Sequence, residues 1–190
     1  MAGAKPSPED LMWDAIVKGD LQAFGSLYRM LYPGLFHYAA KLTARTELAE
    51  DALHDTFAYI WQHRQQLGGV SSVRFYLLQA VRNQCLKLLK KEGGIQSLDI
   101  VESQIVMAIQ PEEIRLKEES AKIRERLDQA LQELSPRQRE IIFLKYFNNL
   151  DYEEIAALLS INYQSVLNHV HKAIVRLRQA EVLQHFRHEK

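Results

Sequence analysis

A chain of 190 residues, 47% of them hydrophobic and 25% charged, can bury one or two small cores, which excludes a wholly disordered or collagen-like protein. No apolar run nears the roughly 18 residues of a membrane span, and Met1 to Pro6 lack a hydrophobic signal core, so a cytoplasmic protein is expected. Cys85 is the single cysteine, which rules out an internal disulfide framework and any multi-cysteine zinc module. The 24 basic and 24 acidic residues cancel overall, but not along the chain. Residues 1–94 carry 11 basic against 9 acidic side chains, 95–120 carry 2 against 6, and 121–190 carry 11 against 9. Two mildly basic lobes thus flank an acidic connector.

All eight glycines precede residue 95, and beyond the N-terminal tail only Pro33, Pro111 and Pro136 remain, so little punctuates strands into hairpins and the pattern predicts an all-α fold. A first helix covers about 9–18 and ends near Gly19. Asp20 caps a second with Leu21, Phe24, Leu27, Tyr28 and Leu31 on one face, and Pro33-Gly34 breaks or kinks it. A third pattern runs from Leu35 to about Leu42. Thr46 caps a fourth helix, in which Ala49, Leu53, Phe57, Ile60 and Trp61 recur at helical spacing until Gly68-Gly69. Ser71 or Ser72 opens a fifth, with Val73, Leu77, Val81, Cys85 and Leu88 as its buried stripe, until Gly93-Gly94.

Residues 95–112 show no sustained period and contain Pro111, the pattern of a flexible linker between two small helical domains at 9–94 and 113–182. A long helix from about Glu112 to Leu134 leads to Ser135-Pro136-Arg137-Gln138, a capping box with proline at the first helical position. Asp151-Tyr152-Glu153-Glu154 opens another box. The helix it starts ends by Ser160, three residues before one beginning near Tyr163, which is helix-turn-helix spacing. In this unit Ile155, Ala156 and Leu159 are expected to face Val166, Val170, Ile174 and Leu177, with Ala156 small enough for close approach. Tyr163, Gln164, Ser165, Asn168, His169 and Lys172 then project from the end that reads base edges in a major groove. A helical hairpin with a merely solvated face satisfies the same spacing.

Charge separates sharply inside the first lobe. Glu47, Glu50, Asp51 and Asp55 cluster, whereas residues 56–91 hold no acid and six bases: Arg64, Arg74, Arg82, Lys87, Lys90 and Lys91. The second lobe repeats this, with Asp151, Glu153 and Glu154 ahead of the acid-free stretch 155–180. Such separation suits a phosphate backbone. Arg74, Phe75, Tyr76, Arg82, Asn83 and Lys87 combine cations, rings and an amide, the ingredients for holding unstacked single strand. Core packing of Phe75 and Tyr76 is the competing reading, and a basic amphipathic helix lying on a membrane leaves Trp61 and the glycine loop unexplained. Glu50 and His54 stand four apart on one helical face, but the sequence specifies no third ligand there, so no metal site is expected.

Taken in order, Gly19-Asp20-Leu21-Gln22-Ala23-Phe24, Leu48-Ala49-Glu50-Asp51, the Phe57–Trp61 pair, Val81-Arg82-Asn83 and the unit from Leu134-Ser135-Pro136 to Arg178 resemble the sigma factors of bacterial RNA polymerase, specifically the two-domain extracytoplasmic-function group. The resemblance covers about residues 10–90 and 120–180. It implies a factor that binds core RNA polymerase, recognises the promoter −35 and −10 elements and helps open the duplex, with an anti-sigma partner that is usually membrane-linked. Carried over by residue, Glu50, Asp51, Asp55, Tyr59 and Gln62, with Arg64, match the face that docks on the polymerase clamp; a solvated acidic helix is the plainer alternative. Gly68–Ser72 and Val73–Lys91 match the −10-reading and melting segment, which assigns Arg74, Tyr76, Arg82, Asn83 and Lys87 to DNA. The C-terminal helix assigns Tyr163, Gln164, Ser165, Asn168, His169 and Lys172 to the −35 element.

The resemblance has two gaps. Ser165-Val166 is followed by Leu167-Asn168 where many relatives place a Lys or Arg, and Cys85-Leu86-Lys87-Leu88-Leu89 carries fewer polar groups than many counterparts. No nucleophile–base set or phosphate-cradling glycine loop is present, so no catalytic residue, cofactor or small-molecule substrate is expected. The rivals are a stand-alone helix-turn-helix transcriptional regulator, which needs a symmetric dimer, and a helical adaptor without nucleic-acid function.

Overall fold

Seven α-helices, one short 3-10 turn and a helical turn at 129–132 account for the regular structure of residues 7–93 and 129–179, the residues described by the computed structural model. The fold is all-helical, with no strand among the described residues. These residues fall into two units, one within Met1–Glu102 and the other within Ser103–Lys190. The expected linker 95–112, and the expected 112–134 helix up to residue 128, lie outside the described residues.

In the first unit α1 (Pro8–Val17) starts on a capping box: Ser7 Oγ accepts from the Asp10 amide at 3.2 Å, and Asp10 Oδ2 accepts from the Ser7 amide at 2.9 Å. Gly19, at φ +96°, makes the turn that an L side chain resists. Asp20 then caps α2 (Leu21–Thr43) by accepting from the amides of Gln22 and Ala23. Of the expected break or kink at Pro33-Gly34 the break is absent: α2 is one helix with Pro33 inside it, and the third pattern expected from Leu35 is its second half. Proline removes the bond to the carbonyl four residues back, that of Arg29. Arg29, Pro33 and Gly34 all lie on the exposed face, where water can satisfy that carbonyl. Leu27, Leu31, Leu35, Tyr38 and Leu42 meanwhile form one continuous buried stripe.

Ala44 ends α2 in the left-handed region, and α3 (Thr46–His63) follows with Arg45, not Thr46, at the cap position and no side-chain cap bond. A 3-10 turn (Arg64–Gln66) and a loop lead to α4 (Val73–Gly93), whose first turn Ser72 caps by accepting from the Phe75 amide at 3.2 Å. Helices α1, α2, α3 and α4 pack together around Trp13, Ile16, Leu27, Tyr38, Leu53, Ile60, Leu77 and Val81. Leu78 and Leu86 join the buried face of α4, whereas Leu88 sits at its margin. Cys85 is fully enclosed, and burial pushes its thiol up to about 12, so it remains an unreactive core side chain at neutral pH.

In the second unit a helical turn at 129–132 leads to α5 (Pro136–Tyr146), α6 (Tyr152–Leu159) and α7 (Tyr163–Gln179). Both expected capping boxes are formed, by Ser135 with Gln138 and by Asp151 with Glu154. Ser135→Ala removes the acceptor for the Gln138 amide and is expected to lower stability by about 1 kcal/mol, read from urea unfolding of the full chain. Ser160, at φ 53°, and the bond from the Ile161 amide to the Ala156 carbonyl at 3.0 Å turn the chain from α6 into α7. Asn162 caps α7 by accepting from the Ser165 amide at 2.7 Å.

Most of the residues expected between α6 and α7 are buried. Ile155, Leu158 and Leu159 are buried on α6, and Val166, Val170, Ala173 and Leu177 on α7, while Ala156 and Ile174 are only partly covered. The small residue fully buried in the hairpin is therefore Ala173, which lies one turn beyond the Val166–Val170 pair.

Candidate polymerase and nucleic-acid surfaces

The acidic face of α3 follows from helical spacing. Glu50, Asp51, His54, Asp55, Tyr59 and Gln62 are all exposed, while Ala49, Ala52, Leu53, Thr56, Phe57 and Ile60 point into the core. The five residues expected at the polymerase are thus all solvent-facing, with Asp51, Asp55, Tyr59 and Gln62 grouped and Glu50 at the margin of the group. Asp55 is not isolated within it, because its Oδ2 accepts from Gln84 Nε2 of α4 at 2.7 Å. Beside this bond α3 and α4 enclose an open groove of about 420 Å³, lined by Asp55, Tyr59, Gln62, Tyr76, Gln84 and Lys87 among others. Carboxylate, rings and a cation from both assigned surfaces therefore border one depression.

The α4 residues behave unequally. Asn83 and Lys87 are exposed. Arg74 is exposed and donates from Nη2 to Glu9 Oε1 of α1 at 2.8 Å; that bond is the chief reason the Glu9 carboxyl lies below its ordinary range. Tyr76 is partly buried, its ring edge-on to Trp13 with centroids 5.3 Å apart, and burial raises its phenol above the usual value. Arg82 is only 3% exposed. It lies on the stripe formed by Leu78 and Leu86, each four residues away and each buried, so the structure places it in the interior, with interactions there, and not at an open surface.

On α7, Tyr163, Gln164, Asn168 and Lys172 are exposed, while Ser165 and His169 are partly covered. Gln164 Nε2 donates to Asn168 Oδ1 at 3.3 Å, so the two amides stand side by side one turn apart. Tyr163 packs edge-on to Tyr152 at 6.4 Å, and the Lys145 ammonium lies 4.7 Å over the Tyr152 ring. His169 is pushed below its ordinary 6.5 by burial, then by the charges of Arg137 and Lys172, so it is predominantly neutral at pH 7. Arg137, 3.3 Å from the buried Glu140 carboxylate, adds a cation near His169 of α7 that sequence spacing did not indicate. Trp13 and Gln84 were missed as well, because their partners are 55 and 29 residues away.

No group of three or more metal-ligating side chains occurs among the described residues, and none of their helices is long and apolar enough to cross a membrane.

Comparison with known proteins agrees with this arrangement. The Sigma-70 region 2 family model matches residues 27–95, and the Sigma-70, region 4 model matches 124–177. The chain is 30% identical over 149 residues to the ECF RNA polymerase sigma factor SigM of Bacillus subtilis, covering 74% of this chain and 86% of the relative. It is 28% identical over 170 residues to the ECF RNA polymerase sigma factor SigL of Mycobacterium tuberculosis, covering 86% and 94%. Among solved structures, CnrH in complex with the cytosolic domain of CnrY superposes with a TM-score of 0.60 at 17% identity, covering 91% of this chain and 96% of that one. The sigma factor RpoE of Bartonella quintana, solved with the anti-sigma factor NepR, gives 0.59 at 22% identity, covering 90% and 100%. These two establish likeness of fold.

Matches to both Sigma-70 regions define a transcription-initiation factor, of a family that has no catalysis of its own. The chain belongs to the sigma-70 family, in its extracytoplasmic-function group. Sigma factors of this family bind core RNA polymerase and promoter DNA.

Proposed function

We propose that residues 9–94 dock on core RNA polymerase and read and melt the −10 element, that 113–182 read the −35 element, and that 95–112 join the two readers. The observation that carries this reading is the split character of α7. Its buried face is held by α5 and α6, and its N-terminal part through Lys172 offers Tyr163, Gln164, Asn168 and Lys172 to solvent, groups that match base edges and phosphates. Ser165 and His169 flank them. In the first unit the acid stripe Glu50, Asp51, Asp55, Tyr59 and Gln62 takes the polymerase, and Arg74, Tyr76, Asn83 and Lys87 take the single strand. Arg82 contributes from beneath that surface, by holding α4.

Two small readers need a scaffold to fix their spacing, so the chain alone should bind promoter duplex weakly and core polymerase should make binding specific. Gel-shift titrations with and without core test this; tight, dimeric, palindrome-dependent binding by the isolated chain supports the stand-alone regulator instead. The complexes solved for CnrH and for RpoE of Bartonella quintana support an anti-sigma partner for this chain too. Since polymerase works in the cytoplasm, we place the chain there.

A further inference from the structure

Helix α1 lies outside the matched Sigma-70 region 2 residues, which begin at 27, yet it reaches the loop assigned to strand opening. Trp13, 1% exposed, donates from its indole Nε1 to the Gly68 carbonyl at 3.2 Å, across 55 residues of sequence. The same indole packs edge-on to Tyr76. One turn earlier Glu9 holds Arg74, as described above. Gly68 and Gly69 are exposed, and a Cβ on either meets nothing within 4 Å, so side-chain packing does not fix this stretch of backbone. The loop is bounded by the Leu67 amide bonded to the Arg64 carbonyl and by the Ser72 cap on Phe75. Between those points Trp13 supplies a bond from the rigid core.

We propose that Trp13 is a positioning residue for promoter opening, holding the Gly68–Ser72 loop in place before DNA arrives. A loop that must receive an unstacked base loses conformational entropy when it is ordered. A hydrogen bond from a buried indole removes part of that loss in advance, so more of the binding free energy goes to separating the strands. The inference rests on the reading of Gly68–Lys87 as the −10 segment, and its test keeps the two apart.

The test uses holoenzyme assembled from core polymerase and the full chain, on closed and pre-opened promoter templates, with permanganate reactivity of unpaired thymines as the readout. Trp13→Phe keeps a ring against Tyr76 and removes the N–H donor. A benzothienyl side chain incorporated at position 13 keeps the size and shape of the indole and removes only the donor, and it decides the question if the phenylalanine variant folds poorly. Both should open the closed template about fivefold more slowly, the effect of one ordinary hydrogen bond. Both should match wild type on the pre-opened template and in affinity for core, and amide exchange at 68–72 should quicken.

A defect that slows both templates alike and tracks a loss of core affinity means simple destabilisation and overturns the inference. Wild-type opening by the benzothienyl variant, with Asn83→Ala defective, overturns it too and leaves the −10 reading standing. Wild-type opening by Asn83→Ala removes that reading, and the inference with it.

Discussion

Glu50→Lys combined with Asp51→Lys is expected to weaken binding to core RNA polymerase by about 3 kcal/mol, roughly a hundredfold in Kd, because like charges brought against a basic partner cost several kcal/mol. The fold should tolerate the change. Both side chains are exposed on the first half of α3, opposite a core face built from Ala49, Ala52 and Leu53, and exposed substitutions of this kind usually alter stability by no more than about 0.5 kcal/mol. Asp55 is left alone in this variant because it accepts from Gln84, so changing it would also disturb α4. Core affinity is read by competition with a labelled sigma factor, and helix content by circular dichroism serves as the control. Unchanged affinity in the folded double variant removes the acid stripe from the polymerase interface. The deficit should also shrink as salt rises, since exposed charges a Debye length apart are screened.

The second large effect separates duplex recognition from strand opening. Replacing Gln164 and Asn168 by alanine removes the two adjacent amides of α7 and should cost about 1–3 kcal/mol for each good bidentate base contact at the upstream element. The defect should persist on a template already open at the start site. Asn83→Ala with Tyr76→Ala should behave oppositely, slowing opening of the closed template and recovering on the pre-opened one, because the unstacking cost has been met there. Tyr76 is also packed on Trp13, so Asn83→Ala alone separates lost contact from lost packing. Permanganate footprints of both variant pairs on both templates measure the two steps. Normal opening of the closed template by the Asn83/Tyr76 pair, or normal upstream binding by the Gln164/Asn168 pair, contradicts this assignment.

Local signals account for most of what could be read in advance. Capping boxes at Ser135 and Asp151 are short-range patterns with a direct physical cause, and both formed as written. The exposed side of α3 was legible for the same reason, since a period of 3.6 groups Asp51, Asp55, Tyr59 and Gln62 opposite the buried stripe and leaves Glu50 at its margin. At Pro33 the rule for proline describes a local loss, which does not break α2 because burial of Leu31 and Leu35 on either side holds the helix together. Arg82 reads as a surface cation by its charge, yet it is buried. Leu78 and Leu86, one turn away on each side, were the available clue that it faces inward. Tertiary contacts such as Trp13 to Gly68 and Gln84 to Asp55 join residues far apart in sequence, and no periodicity could have paired them.

Mapping transcript starts produced by core polymerase with and without this chain on the genomic DNA of its own source tests the central claim most directly. A sigma factor with two readers should create a new set of starts, each preceded by the same two short elements at a fixed spacing. The set should be lost with Gln164→Ala/Asn168→Ala and with Glu50→Lys/Asp51→Lys. Starts identical to those of core alone, with the chain fully folded and present in excess, would contradict it.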